Sequence, residues 1–515
     1  MAWDYEGETI HNLLHHNAHR FPEKIFVRYH DQAWTFAQWD ALTEQLAEGF
    51  AALGVKRGDR VLLALPNGPE VYADITALGK IGAIPMPINT AMKPDEVLFM
   101  LNDAACELAV VDGSIYAQVN TYREEAPMLK RLVVHGGNVQ GEDLPYEALL
   151  ENGKPFARET DPHQPFVLLY TSGTTGFPKG ALVMHSAVLF SLQALKHVLQ
   201  LTEQDVCVNV LPSYHLFSIA AEYALMGVIG GTFIVEDGFQ PHTALQDMQR
   251  YRATWECGVP SMFIVLCELA EKSGADIRSF RYGITSGAPV PTPVLKRWEA
   301  LTGGTLCQVY GSTEIALGTV ERPDHTRKIG SAGQPSPGFE FVILDEDDRP
   351  LPPGQVGEIC VRHAGGISHY WNRPQEDAQA HRDGWFHTGD LGYFDEENYL
   401  YVVDRKKDMI IYGGENIYPA EVEKVLLEHP AVAEVAVLGR PDPVKGEEPV
   451  ALIRLNEGMQ VTHRELRNFA RQHLSDFKLP RSFIYVDDFP RTGTGKIRKF
   501  VLREQLGQST ASATK

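Results

Sequence analysis

The chain has 515 residues, 44% of them hydrophobic and 22% charged, which excludes a disordered or fibrous protein. A single core stops growing at about 250–300 residues, so at least two domains are expected. With 67 acidic against 47 basic residues the formal net charge is −20, which excludes a general nucleic-acid binder, and the six scattered cysteines form no CxxC pair that would suggest a disulfide framework or zinc site.

The start, Met1-Ala2-Trp3-Asp4-Tyr5-Glu6, is acidic and polar and lacks the basic and apolar stretches of a targeting signal. Thr35-Phe36-Ala37-Gln38 has the form of a capping box. Leu42, Leu46, Phe50 and Leu53 then recur on one face until Gly54, which predicts a helix. Strand patterns at 60–65, 107–112, 166–170, 206–211, 231–235 and 281–286 alternate with helical ones, so stacked α/β layers with mostly parallel sheets are expected. The most apolar stretch, 223–235, lies between Glu222 and Glu236 and contains glycines. It is too short to cross a bilayer, and a cytoplasmic protein without a membrane span is expected.

After about residue 340 the pattern changes to short strands at 341–344, 357–361 and 399–403, punctuated by Gly, Pro and Asp, which reads as a β-rich subdomain. From 409 onward a compact unit alternates again, with elements at 420–427, 432–438, 449–454, 463–473 and 483–486, and the tail after Gln505 reads as disordered. The expected fold class is therefore α/β: a large N-terminal domain, 1–404, of layered α/β subdomains plus the β-rich subdomain, and a small α+β C-terminal domain, 405–515.

The segment with the strongest chemical content is Thr171-Ser172-Gly173-Thr174-Thr175-Gly176-Phe177-Pro178-Lys179, directly after the strand at 166–170. Glycines let successive N–H groups turn toward phosphate oxygens, hydroxyls add donors and Lys179 adds a charge. The GxxxxGK[ST] spacing of a Walker A loop is absent, which removes the main support for a P-loop ATPase. A flexible Ser/Thr/Gly turn is the plain structural reading, and so dense a string of hydroxyls, glycines and one lysine argues against it.

With this loop and six further segments in order, nearly the whole chain resembles the adenylate-forming superfamily of acyl-CoA synthetases, luciferases and peptide-synthetase adenylation domains. The resemblance implies roles residue by residue. Ser286-Gly287-Ala288-Pro289 and Gln308-Val309-Tyr310-Gly311-Ser312-Thr313-Glu314 would bind adenine and the ATP phosphates, with Tyr310 stacking on the base and Glu314, together with Thr174, holding Mg²⁺. Asp390 of Phe386-His387-Thr388-Gly389-Asp390 would accept from the ribose hydroxyls, and Arg405 would reach the same ribose. Lys407 would be the hinge of a mobile C-terminal domain. Where the family commonly has Gly, this chain has Asp404. Gly413-Gly414-Glu415 would line the tunnel for the CoA pantetheine. Lys496, on the glycine-rich turn Pro490–Lys496, would be the catalytic lysine that contacts the attacking carboxylate and the α-phosphate, with Glu314 and Thr174 as the other catalytic groups.

The resemblance implies an ATP-dependent acid–thiol ligase that forms an acyl-adenylate and transfers the acyl group to coenzyme A, releasing AMP and pyrophosphate. No aspartate stands where amino-acid-activating relatives hold the substrate ammonium. His215 and Phe217 are there instead, and together with Val259, Met262 and Ser286 they would line an acyl pocket. The mainly apolar segments 219–228 and 235–239 point to a medium- or long-chain fatty acid. An aryl acid is an alternative, as is a dicarboxylate such as malonate held by Arg250, Arg252 or Arg281. A stand-alone enzyme loading a carrier protein, and a non-catalytic nucleotide-binding remnant, also stay open. The implied partners are a small carboxylic acid, ATP and CoA, with Mg²⁺ as cofactor, and a homodimer is compatible with the sequence.

Overall fold

The computed structural model describes residues 4–151, 153–171, 178–288, 290–442, 444–491 and 497–512, with side chains as far as Leu506. The chain divides into two compact units: 1–341, 361–386 and 398–400 form the first, and 342–360, 387–397 and 401–515 the second.

The first unit is built on two large sheets. One is all parallel, in the order Ile84–Pro87, Arg60–Ala64, Leu108–Asp112, Arg131–His135, Leu144–Pro145. Its central strands are continuous apolar runs because both faces are covered. Val61, Leu63 and Val110 join one core cluster, and Leu62, Ala109 and Val111 join another. The second sheet has nine strands and a parallel centre in which Val206–Asn209, Trp255–Gly258, Tyr282–Thr285 and Thr305–Ser312 lie side by side. The expected helix forms at Phe36–Ala52, and both halves of the Thr35/Gln38 capping box are made.

One strand departs from the parallel expectation. Pro165–Thr171 pairs antiparallel with Lys179–Met184, and His369–Tyr370 adds a third strand to this small sheet. Only seven residues separate the first two strands, far fewer than the dozen or more that a parallel crossover needs, so the chain must return as a hairpin.

In the second unit the long strands Val432–Asp442 and Gly446–Leu455 pair antiparallel, with Ser482–Tyr485 parallel alongside. Their alternating side chains feed two cores. Val435, Val437, Ala451 and Ile453 pack with Leu426 and Leu466, whereas Ala436, Leu438, Val450 and Leu452 pack with Phe489, Leu502 and Leu506. Of the tail expected to be disordered, the residues as far as Ser512 continue the helix Lys499–Ser512, whose Leu502 and Leu506 are buried against the long strands. The β-rich segment after residue 340 is a five-stranded sheet containing Phe339–Leu344, Gly357–His363, Trp385–Phe394 and Leu400–Arg405, whose residues are divided between the two units. All six cysteines are buried and reduced, and among the described residues no helix is long and apolar enough to cross a membrane.

Candidate active site

In the first unit the predicted adenine segments leave neighbouring strands at the same edge. Thr285, the last residue of Tyr282–Thr285, pairs with Gln308 of Thr305–Ser312, so Ser286-Gly287-Ala288 and Val309-Tyr310-Gly311 emerge side by side at the carboxyl ends of a parallel sheet. Open α/β sheets bind ligands at that edge. Gly287 has φ +86, which only glycine adopts without strain, and Gly287 and Ala288 are exposed. Gln308 ties the two segments together, since its Oε1 accepts from the Val290 N–H at 3.4 Å. Tyr310 is 7% exposed, its ring almost wholly enclosed. A register shift at Tyr310/Gly311 and a left-handed Ala316 (φ +55) bend the strand into the turn that carries Ser312, Thr313 and Glu314. Gly311 permits this turn: a Cβ there would meet the Ala316 carbonyl oxygen at 1.9 Å.

Tyr370 joins two of the predicted ATP residues. Its hydroxyl donates to Glu314 Oε1 at 2.9 Å, and the Lys179 ammonium lies over its ring, 5.5 Å from the centroid. The backbone holds this arrangement, because Tyr370 pairs with Ala181, the Ser368 N–H donates to the Glu314 carbonyl at 3.0 Å and the Trp371 N–H donates to the Gly180 carbonyl at 2.8 Å. Sequence reasoning does not single out Tyr370. Nearly 200 residues separate it from Lys179, and the only signal is the aromatic pair Tyr370-Trp371 just before the helix Pro374–Ala380.

The five predicted acyl-pocket residues, His215, Phe217, Val259, Met262 and Ser286, are all half-buried. Going back along Trp255–Gly258 from Val259, Cys257 and then Trp255 lie on the face covered by residues 216–229. There the Ala221 carbonyl accepts from Trp255 Nε1 at 3.2 Å and faces Cys257 Sγ at 3.9 Å. Trp255 is fully buried. In the segment 219–228, expected to line a pocket, Ile219, Ala221, Tyr223, Leu225 and Met226 are all at 0–1% exposure and belong to the main core cluster. His215 caps the helix Leu216–Ser218, its Nδ1 accepting from the Phe217 N–H at 3.3 Å. The next turn is a π-helix, Ile219–Ala224, and it places the buried Glu222 against Asn209 Nδ2 at 2.5 Å.

The three arginines considered for a second carboxylate precede their strands and so lie at the opposite, amino edge of the parallel sheet. Arg250 and Arg252 come before Trp255–Gly258 and Arg281 before Tyr282–Thr285. Arg281 is already paired with the buried Asp205 at 2.9 Å. A dicarboxylate pocket built on these residues is not supported.

In the second unit the two predicted ribose ligands form an ion pair, Arg405 Nε to Asp390 Oδ1 at 3.1 Å. Asp390 is fixed by its own N–H donating to Thr388 Oγ1 at 3.1 Å, and Gly389 (φ +72) donates to Glu358 Oε1 at 3.2 Å. Burial pushes the Glu358 carboxyl up, but Lys406 at 2.9 Å and His387 outweigh that and hold it below the usual range. Asp404, the departure from the family's glycine, accepts from the Ala420 N–H at 2.7 Å and so caps the helix Pro419–Leu427. The predicted hinge, Lys407, lies in the turn directly after Leu400–Arg405.

Gly413 and Gly414, with φ +62 and +90, form the two-residue turn between Ile410–Tyr412 and Glu415–Ile417. Backbone conformation alone therefore requires them, whatever passes by, although a Cβ on Gly414 would meet nothing within 4 Å. Ser172, Gly173, Thr174, Thr175, Gly176, Pro289 and Lys496 lie outside the described residues. Thr171 ends its strand beside Lys179, with which it pairs.

Residues 14–371 match the model of the AMP-binding enzyme family and residues 421–496 that of the AMP-binding enzyme C-terminal domain. The chain belongs to this family. It is accordingly an adenylate-forming enzyme, an ATP-dependent acyl-CoA ligase. The chain is 34% identical over 494 residues to the indoleacetate–CoA ligase of Aromatoleum aromaticum, covering 95% of this chain and 96% of that protein. It is 33% identical over 481 residues to the long-chain-fatty-acid–CoA ligase FadD13 of Mycobacterium tuberculosis, covering 92% and 93%. The crystal structure of the anthranilate CoA ligase AuaEII in complex with anthranoyl-AMP superposes with a TM-score of 0.89 at 27% identity, covering 98% of both chains.

Proposed function

We propose that this ligase activates a compact hydrophobic carboxylic acid, aryl or no more than medium-chain, and transfers it through its acyl-adenylate to CoA, releasing AMP and pyrophosphate. Trp255 carries the reading. Two strand residues span only about 7 Å, so a buried indole two positions behind Cys257, tied to the Ala221 carbonyl, leaves room for a ring or a short chain beyond Val259 and Phe217. The long-chain fatty acid that the apolar segments suggested would need that indole to move. The names of relatives acting on indoleacetate and anthranilate agree with a compact ring.

Within this reading ATP is held by Thr171, Lys179, the segment 286–289 and the segment 308–314, with the ribose on Asp390 and Arg405. Glu314 fits Mg²⁺, because a half-buried carboxylate oriented by the Tyr370 hydroxyl presents a hard oxygen without a bonded lysine or arginine among the described residues. The ion would neutralise phosphate charge there, with Thr174 as the second ligand. Lys496 serves adenylation and Gly413-Gly414-Glu415 thioester formation, with Lys407 as the pivot between the two half-reactions.

Pyrophosphate exchange and CoA thioester formation, measured with straight-chain acids from acetate to palmitate and with benzoate, phenylacetate, indoleacetate and malonate, test the reading. The highest kcat/KM is expected for an aryl or medium-chain acid. A maximum at palmitate or at malonate would refute it.

A further inference from the structure

Beside Tyr370, on residues that take no part in the adenylation reading, three metal-ligating side chains of the first unit converge. His369 lies on the strand His369–Tyr370, Asp377 on the helix Pro374–Ala380, and His381 directly follows that helix. His369 Nδ1 is 2.9 Å from Asp377 Oδ2, His381 Nε2 is 3.7 Å from Asp377 Oδ1, and the candidate ligand atoms all lie within 4.8 Å of one another. A tetrahedral ion with bonds of about 2.0–2.1 Å sets its ligand atoms roughly 3.3 Å apart, so small side-chain rotations close the site.

We propose that His369, Asp377 and His381 form a binding site for Zn²⁺ or a similar borderline divalent transition-metal ion. Two imidazoles and one carboxylate suit such an ion better than Mg²⁺ or Ca²⁺, which favour all-oxygen shells. The carboxylate is already oriented from its outer side, because the Tyr370 N–H donates to Asp377 Oδ1 at 2.8 Å and leaves Oδ2 toward His369. Access is open: His369 is exposed, and both histidines line a cavity of about 370 Å³ that His163 also lines. Among the described residues lining that cavity the cationic side chain is Arg362, which is directed to Glu340 at 2.7 Å and to the face of Trp385. Binding has one local cost. His381 Nε2 lies 3.0 Å from the Ser368 carbonyl and must give up that hydrogen bond to take the metal.

The test is calorimetric titration of the purified full chain with Zn²⁺, alongside Co²⁺ absorption as a report on coordination, after stripping with a chelator. One ion per chain is expected. His369→Ala, Asp377→Asn and His381→Phe should each weaken binding by at least the roughly 10–100-fold seen when a mere supporting group of a metal site is lost. His463→Ala, at an exposed histidine of the second unit, should leave it unchanged. Thermal melts in chelator verify folding, and His369→Gln replaces any first variant that does not fold. Absence of stoichiometric binding, or an unchanged affinity in any one of the three ligand variants, overturns the three-residue centre.

Discussion

The Tyr370 hydroxyl donates to Glu314 Oε1 at 2.9 Å while the ring of the same tyrosine lies beneath the Lys179 ammonium. One side chain thus positions two charges of opposite sign, the lysine proposed for the ATP phosphates and the carboxylate proposed for their Mg²⁺. Tyr370→Phe keeps the ring and deletes the hydrogen bond, a change of about 0.5–1.5 kcal/mol or roughly 2–10-fold in the adenylation rate. Glu314→Gln should do more and raise the Mg²⁺ requirement, because it removes a formal charge. Both are read by pyrophosphate exchange across a Mg²⁺ titration. Full activity of Glu314→Gln at low Mg²⁺ would make the metal assignment wrong.

Trp255 is expected to set the length of the acid. Trp255→Leu removes the indole proposed to close the pocket floor, so acids too long for the native enzyme should gain up to about 0.8 kcal/mol per newly buried CH₂. Benzoate-sized acids should lose rate. If the ranking of acids is the same in variant and native protein, with melting temperature confirming a folded variant, the floor lies elsewhere.

Lys496 and Gly414 should separate the half-reactions. Lys496→Ala is expected to lose adenylation by roughly 10²–10³-fold, the effect of removing one charge-stabilising donor, and to keep converting supplied acyl-adenylate and CoA to thioester. Gly414→Leu should do the reverse. Because Gly414 has φ +90, leucine there also strains the turn, so Gly414→Asn is the control, asparagine tolerating left-handed backbone at small cost. Equal damage to both half-reactions by Lys496→Ala and Gly414→Leu would favour a single fixed arrangement.

Two enclosed histidines should make the chain acid-sensitive. Burial draws His11 down from 6.5 to about 3, with its Nε2 bound to the Glu159 carbonyl at 2.8 Å. Burial draws His363 to about 3 as well, its ring stacked on Phe190. Both folded-state values lie below the unfolded one, so the unfolded chain binds more protons between pH 6.5 and about 3. Stability is therefore fully present above pH 6.5 and falls as pH drops through that window, by about 1.4 kcal/mol per pH unit for each proton. Chemical denaturation from pH 7 to pH 4 measures the slope. His363→Phe should flatten it by one proton, and an unchanged slope would show that this ring does not contribute.

Much of the fold was legible because local rules and burial agreed. The Thr35/Gln38 capping box forms as read, and the apolar runs around Val61 and Val110 are strands because both faces of their sheet are covered. The ligase class was legible for a different reason: apart from the dense Ser/Thr/Gly/Lys loop, the segments say little one at a time, and it is their company and order along the chain that resemble the adenylate-forming family.

What the tertiary structure alone decided is what distance in sequence conceals. Tyr370 meets Lys179 and Glu314 only because His369–Tyr370 joins the hairpin behind the phosphate loop. The apolar segment 219–228 could have lined a pocket or filled a core, since hydrophobicity is the same in both. The structure buries it against Trp255. The glycines at 413 and 414 could have been there for space or for backbone angle, and the structure adds that their turn takes positive φ at both. Likewise Arg281 could have held a substrate carboxylate, but the sheet direction placed it at the amino edge, on Asp205. In each case the residue type was readable from the sequence. Its partner was not, because a partner is supplied by long-range packing, which no local pattern encodes.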